Sequence, residues 1–99
     1  MKSKLRHSSG SVFRDLGFSA REAVNLKVRA DLMIELTSLI DRRNLTQAAA
    51  AKLFGVSQPR VSDLVRGKVE LFSVDTLIGM LGTAGVQVRV TARRRARVA

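Results

Sequence analysis

Residues 46–68 read TQAAAAKLFGVSQPRVSDLVRGK, and this stretch decides the fold. It predicts two short helices, Gln47–Phe54 and Gln58–Val65, broken by a tight turn at Gly55-Val56-Ser57. Thr46 and Ser57 each precede a helical pattern, and both residue types cap helix N-termini with a side-chain oxygen. Gly55 stands where a left-handed residue would end the first of the two. Ala51 is small enough to let the second helix cross closely. Val56, Val61 and Leu64 have the spacing to face inward and lock the pair. A small residue, a glycine turn and spaced apolar residues together give the pattern of a helix-turn-helix.

The order Gln47-x-x-x-Ala51-x-x-x-Gly55-Val56-Ser57-x-x-x-Val61-Ser62-x-Leu64 resembles the Xre/Cro type of lambda-repressor-like DNA-binding domain. An αα-hairpin in any bundle also wants a glycine turn and apolar spacing, but the charge of this chain agrees with DNA. The net charge is +10. Lys2, Lys4 and Arg6 supply +3 at one end, and Arg93, Arg94, Arg95 and Arg97 supply +4 at the other. Most of the excess therefore sits in the two tails. Basic arms of this kind can follow a phosphate backbone, or serve only as solubilising tails.

Other classes fit poorly. The chain has no Cys, so neither a disulfide framework nor a thiolate metal site is expected. No cofactor and no metal are expected. The single His7 lies in a polar tail, with no nucleophile or metal-ligand spacing around it, so an enzyme is not expected. Asp31 and Glu35 stand one helical turn apart like paired carboxylates, yet Lys27 one turn earlier makes a solvated, ion-paired face the simpler reading. RNA recognition leans on aromatic stacking platforms, and the four Phe read as core or staple residues. No run is apolar enough for a membrane span or a signal peptide, so a soluble cytoplasmic protein is expected.

Along the chain, residues 1–10 read as a disordered basic tail. Ser11 to Gly17, with Val12, Phe13 and Leu16, reads as a short turn or strand packed on the domain. Ser19 and Glu22 form a capping box, with Phe18 as a staple, and open a long helix to about Arg43. Leu32, Leu36 and Leu39 share one face of it, and the resemblance puts that face on the helix-turn-helix. Leu26, Ala30, Met33 and Ile40 form a second stripe, which predicts a second surface, either a subunit interface or the returning C-terminal segment. Leu53 departs from the family, which usually has a polar residue there. Ser73 caps a further amphipathic helix built on Val74, Leu77, Ile78 and Leu81, and Gly85 ends it. Val86-Gln87-Val88-Arg89-Val90-Thr91 alternates strictly and predicts a strand. A lone strand leaves its backbone unpaired, so pairing with the same strand of a second subunit is expected, unless Val12-Phe13 supplies a partner. Residues 92–99 form an Arg-rich tail.

The fold expected is mainly α: a lambda-repressor-like helix-turn-helix bundle of about four helices with a C-terminal β-strand, over residues 11–91. The resemblance implies that the second short helix enters the major groove with its N-terminal end toward base edges. It assigns Gln47 to phosphate, and Ser57 and Gln58 to the start of recognition, where a Gln amide suits adenine. Arg60 would reach guanine, Arg66 a phosphate or base, and Lys68 a phosphate; Ser62 and Asp63 complete the set. Asp63 would accept from cytosine N4 or pair with Arg60 or Arg66. Pro59 stands where relatives often place a base-reading side chain. The resemblance further implies a homodimer, through the long helix or residues 86–91, on half-sites about 34–36 Å apart. Over roughly residues 12–91 the chain is similar to HigA-type antitoxins, which bind a RelE-like ribonuclease toxin and repress their shared promoter. Two functions are therefore open: a double-stranded DNA-binding repressor, and a protein–protein inhibitor of a toxin.

Overall fold

A computed structural model describes residues 10–94. Its helices are α1 (Gly10–Asp15), α2 (Ala20–Arg42), α3 (Gln47–Phe54), α4 (Gln58–Val65) and α5 (Val74–Thr83), with a 3-10 turn at Val69–Leu71 between α4 and α5. Residues 1–9 of the expected tail and the end of the Arg-rich tail lie outside the described residues, and Gly10 begins α1. No described helix is long and apolar enough to cross a membrane.

Both ends of the helices follow simple backbone chemistry. Ser19, Thr46, Ser57 and Ser73 each stand in extended conformation before a helix, and each side chain accepts a first-turn amide. At Ser19 the capping box is complete: Glu22 N–H donates to Ser19 Oγ at 3.2 Å, and Ser19 N–H donates to Glu22 Oε1 at 3.0 Å. Every described α-helix then ends in the same two-bond closure around a residue of positive φ: Gly17, Asn44, Gly55, Gly67 and Gly85. After α3, for example, Val56 N–H donates to Ala51 O at 3.0 Å and Gly55 N–H to Lys52 O at 3.3 Å. Asn44 is the one non-glycine among them, at φ 51°, a conformation that Asn tolerates better than most side chains.

The core is one cluster in which Leu36, Leu39, Ala50, Phe54, Val61, Leu64, Phe72, Leu77, Met80 and Leu81 are buried. α2 is its axis, touching α1, α4, α5 and the 3-10 turn, while α3 packs on α4 and α5. The expected face of α2 does meet the helix-turn-helix: Leu36 and Leu39 are buried and Leu32 packs against the same cluster. Leu53, the departure from the family, is half-buried against it as well.

Three expectations are corrected. Ser11 to Gly17 packs on the domain as expected, but as a helix rather than a short turn or strand, because residues 10–15 form α1, which lies against α2. Phe13 meets Phe18 edge to face, with ring centroids 6.3 Å apart, across the closure at Gly17. The second stripe of α2 is not held over for another subunit, since Leu26, Met33 and Ile40 are already buried within the chain. Met33 and Ala30 line a groove shared with Phe13 of α1 and Leu64 of α4. Finally, residues 86–91 form no strand. The alternation is real but serves a different purpose: Val86 and Val88 pack against the helical core, Gln87 and Arg89 face out, and Val90 is 84% exposed. A ladder needs a second extended segment beside it, and Val12-Phe13, the candidate within the chain, is helical.

Candidate nucleic-acid interface

α4 is eight residues long and divides cleanly by side. Val61 and Leu64 are fully buried, while Gln58, Pro59, Val65 and Arg66 are exposed and Ser62 and Asp63 are half-buried. Proline occupies the first turn, where its missing N–H costs no helical hydrogen bond. Ser57 Oγ accepts from Arg60 N–H at 3.4 Å, a long cap bond, so the Ser57 hydroxyl keeps most of its capacity for another partner. Gly55 turns α3 into α4 at φ 71°, and a Cβ there would stand 3.3 Å from Thr83 Cγ2 of α5. The crossing is thus tight on both sides, with Ala51 on α3 and Thr83 on α5.

Gln47 opens α3 and is exposed beside the Thr46 cap. The start of α3 therefore offers an exposed amide side chain next to the positive end of a helix dipole, a suitable setting for a phosphate. Gln58 holds the same place at the start of α4. The two helix starts, with Arg66 and Lys68 after the last turn of α4, supply donors at both ends of α4.

Two assigned side chains are engaged with the protein itself. Asp63 pairs with Lys68 at 3.6 Å rather than with Arg60 or Arg66. The cause is the way α4 ends. Lys68 N–H donates to Asp63 O at 3.1 Å in the closure at Gly67, which brings residues 63 and 68 side by side. At the other helix ends these two places hold apolar or aromatic pairs, such as Phe13 with Phe18 and Leu81 with Val86. Here an ion pair takes that place. The pair is half-exposed, so it leaves the Lys68 ammonium available to solvent on its outer side.

Arg60 folds back. Its Nη1 donates to Leu71 O at 3.0 Å, and its guanidinium lies 4.2 Å from the Phe72 ring centroid. A second arginine that the sequence motif does not include reaches the same turn: Arg29 Nη1 on α2 donates to Val69 O and to Phe72 O, each at 3.3 Å. A signal for Arg29 existed in the sequence. It stands three residues after Leu26 and four before Met33, so it is a charged residue in an apolar stripe. Asp31 and Glu35 form no paired acid site; Asp31 Oδ2 accepts from Lys27 Nζ at 2.6 Å. Among the described residues no cluster of His, Cys, Asp and Glu could hold a metal ion.

Comparison with known proteins agrees with this geometry. No curated protein matches the chain. A solved structure described as an XRE family transcriptional regulator is similar, at 38% sequence identity and a TM-score of 0.71, over 79% of this chain and 90% of that one. A family model described as "Helix-turn-helix domain" matches residues 12–93. With α3, α4 and the packing around them all inside that match, the chain belongs to this helix-turn-helix domain family.

Proposed function

We propose that this protein is a transcriptional regulator that binds double-stranded DNA sequence-specifically by laying α4 in the major groove. The observation that carries the reading is the two-sided α4. Its inner side is locked by Val61 and Leu64, while Gln58 and Arg66 are exposed at its two ends and Ser62 is half-exposed between them. Gln58 and Arg66 are the base-reading candidates. Gln47, Ser57 and Lys68 contact phosphates, and Asp63 holds Lys68 in place. A single head of this size gives modest affinity, so a homodimer on two half-sites is the working form, acting as a repressor of its own promoter.

The test is selection from random duplexes, followed by competition binding with single-base variants of the preferred site. Gln58→Ala should relax preference at one position and lose about 1–3 kcal/mol there. Lys68→Ala should weaken all sequences alike and lower the salt slope by about 1. A wild-type protein with no preference among duplexes would sink the reading.

A second function, neutralising a ribonuclease toxin as an antitoxin, is favoured by one observation. Val12 of α1, Leu16 in the turn after it, and Val24 and Val28 of α2 are 39–70% exposed. None of these residues is on α4, so a protein partner could bind them with α4 on DNA. Co-purification of a small basic protein with the full chain tests this; its absence from the native host's extract would count against the antitoxin role.

A further inference from the structure

Two guanidinium groups from different helices converge on one four-residue turn. Arg29 comes from the middle of α2 and donates to Val69 O and Phe72 O. Arg60 comes from the first turn of α4, donates to Leu71 O and stacks on Phe72, whose side chain is buried in the core. Three carbonyls of residues 69–72 thus accept from arginine. The turn is short and has no side-chain cap of its own, so beyond its own backbone bonds these contacts tie it to α2 and α4. The connectivity closes a triangle. The chain joins the end of α4 to the turn through Gly67, Arg60 ties the start of α4 to it, and Arg29 ties it to α2.

A guanidinium that reads guanine needs two donors free to lie along the base edge. Arg60 has one donor committed to Leu71 O and one face committed to Phe72, so its guanidinium is held at the turn rather than extended from α4. Arg29, on α2, reaches the same turn from the core side. We propose that Arg60 and Arg29 are positioning residues for DNA recognition: they fix the angle at which α4 presents Gln58 and Arg66, and Arg60 itself reads no base. The proposal rests on the DNA-binding reading above. The leverage is large. An eight-residue helix is roughly 12 Å long, so a tilt of about 5° moves its far end by about 1 Å. That displacement takes a well-formed hydrogen bond out of range.

The test uses the full chain and the preferred duplex found by selection. A single mismatch ordinarily costs a DNA-binding domain about 5- to 150-fold in affinity. Arg29→Ala should reduce that discrimination to roughly 2- to 3-fold at every position that α4 reads. Arg60→Ala should do the same at the same positions, and the double variant should add little, as expected for coupled residues. Loss at one position only for Arg60→Ala, with Arg29→Ala leaving the profile intact, would make Arg60 a base reader and overturn the proposal. So would a lowered denaturation midpoint in both variants with the preference profile unchanged, since that is the result of a merely structural role. A wild-type protein without sequence preference is a separate outcome that defeats the underlying reading. A measurement on the free protein stands apart from DNA altogether. Arg60→Lys keeps the charge but loses the planar face, and should shift the backbone amide resonances of residues 69–72 and the Arg29 side-chain resonance. Unmoved resonances would overturn the clamp.

Discussion

Gly55 is held to glycine by both its backbone conformation and its packing. Its φ of 71° lets the closing bonds of α3 form, and a Cβ there would stand 3.3 Å from Thr83 Cγ2, which would have to give by a few tenths of an ångström. A non-glycine residue in this region costs roughly 1–2 kcal/mol, and the tighter unfolded chain of alanine gives back about 0.4–1 kcal/mol. Gly55→Ala should therefore destabilise the protein by about 1 kcal/mol in urea denaturation, plus the cost of moving Thr83. Thr83→Ser removes Cγ2, and in the Gly55→Ala background it should recover only the contact part. Full recovery would mean that crowding, not backbone conformation, is what reserves this place for glycine. At this scale the sequence was readable where chemistry is local. Thr46, Ser57, Ser73, Gly55 and Gly85 announce caps and closures through residue type alone. The destinations of long side chains were not readable. Arg60 sits on α4 beside plausible bases, and its contact with Leu71 and Phe72 depends on how the chain returns eleven residues later. Lys68 and Asp63 meet for a reason visible only after the closure at Gly67 is recognised, namely that the closure itself sets residues 63 and 68 together.

At the scale of elements, helices were legible and the extended segment was not. α2, α3, α4 and α5 carry start signals, stop signals and a periodic apolar face, and these agree with one another. Residues 86–91 carry only a period of two, which reports that alternate side chains meet a surface. It does not say whether that surface is a neighbouring strand or a helical core, and here Val86 and Val88 meet the core. α1 was missed for a related reason: six residues give too little periodicity, and its stability comes from lying on α2. The start of α2 offers a test with a definite sign. The Ser19 backbone N–H, and then its hydroxyl, hold the Glu22 carboxyl below its ordinary value. A carboxyl depressed in the folded state contributes stability above its unfolded pKa and loses it as pH falls through the folded one. Acidification through and below the ordinary carboxylate range should therefore fray the first turn of α2. Amide exchange at Ser19 reports it, because that N–H donates to Glu22 Oε1. Glu22→Gln keeps an acceptor without a titrating group, so protection of Ser19 should lose its acid-dependent component. If both proteins lose protection at the same pH, the capping box is not the titrating device.

For the molecule as a whole, the distribution of charge separates two contributions to DNA binding. The folded body is only mildly basic, while Arg93, Arg94, Arg95 and Arg97 cluster in sequence after residue 91. Arg93 and Arg94 are exposed. An arginine that meets a phosphate releases counterions and adds to the salt dependence, but it carries no base information. Truncation after Thr91 leaves Val86, Val88 and the bond from Val86 N–H to Leu81 O in place, so the core should be undisturbed. If all four arginines meet phosphate, the slope of log K against log salt should fall in magnitude by about 3.6 for each chain bound. Affinity for unrelated duplexes should drop with it, while the ratio between preferred and unrelated sequences stays within about twofold, because α4 and its turn are untouched. An unchanged slope would place the arginine tail away from the DNA and return its charge to solubility. A collapse of the ratio would mean that the tail, and not α4 alone, takes part in choosing the sequence.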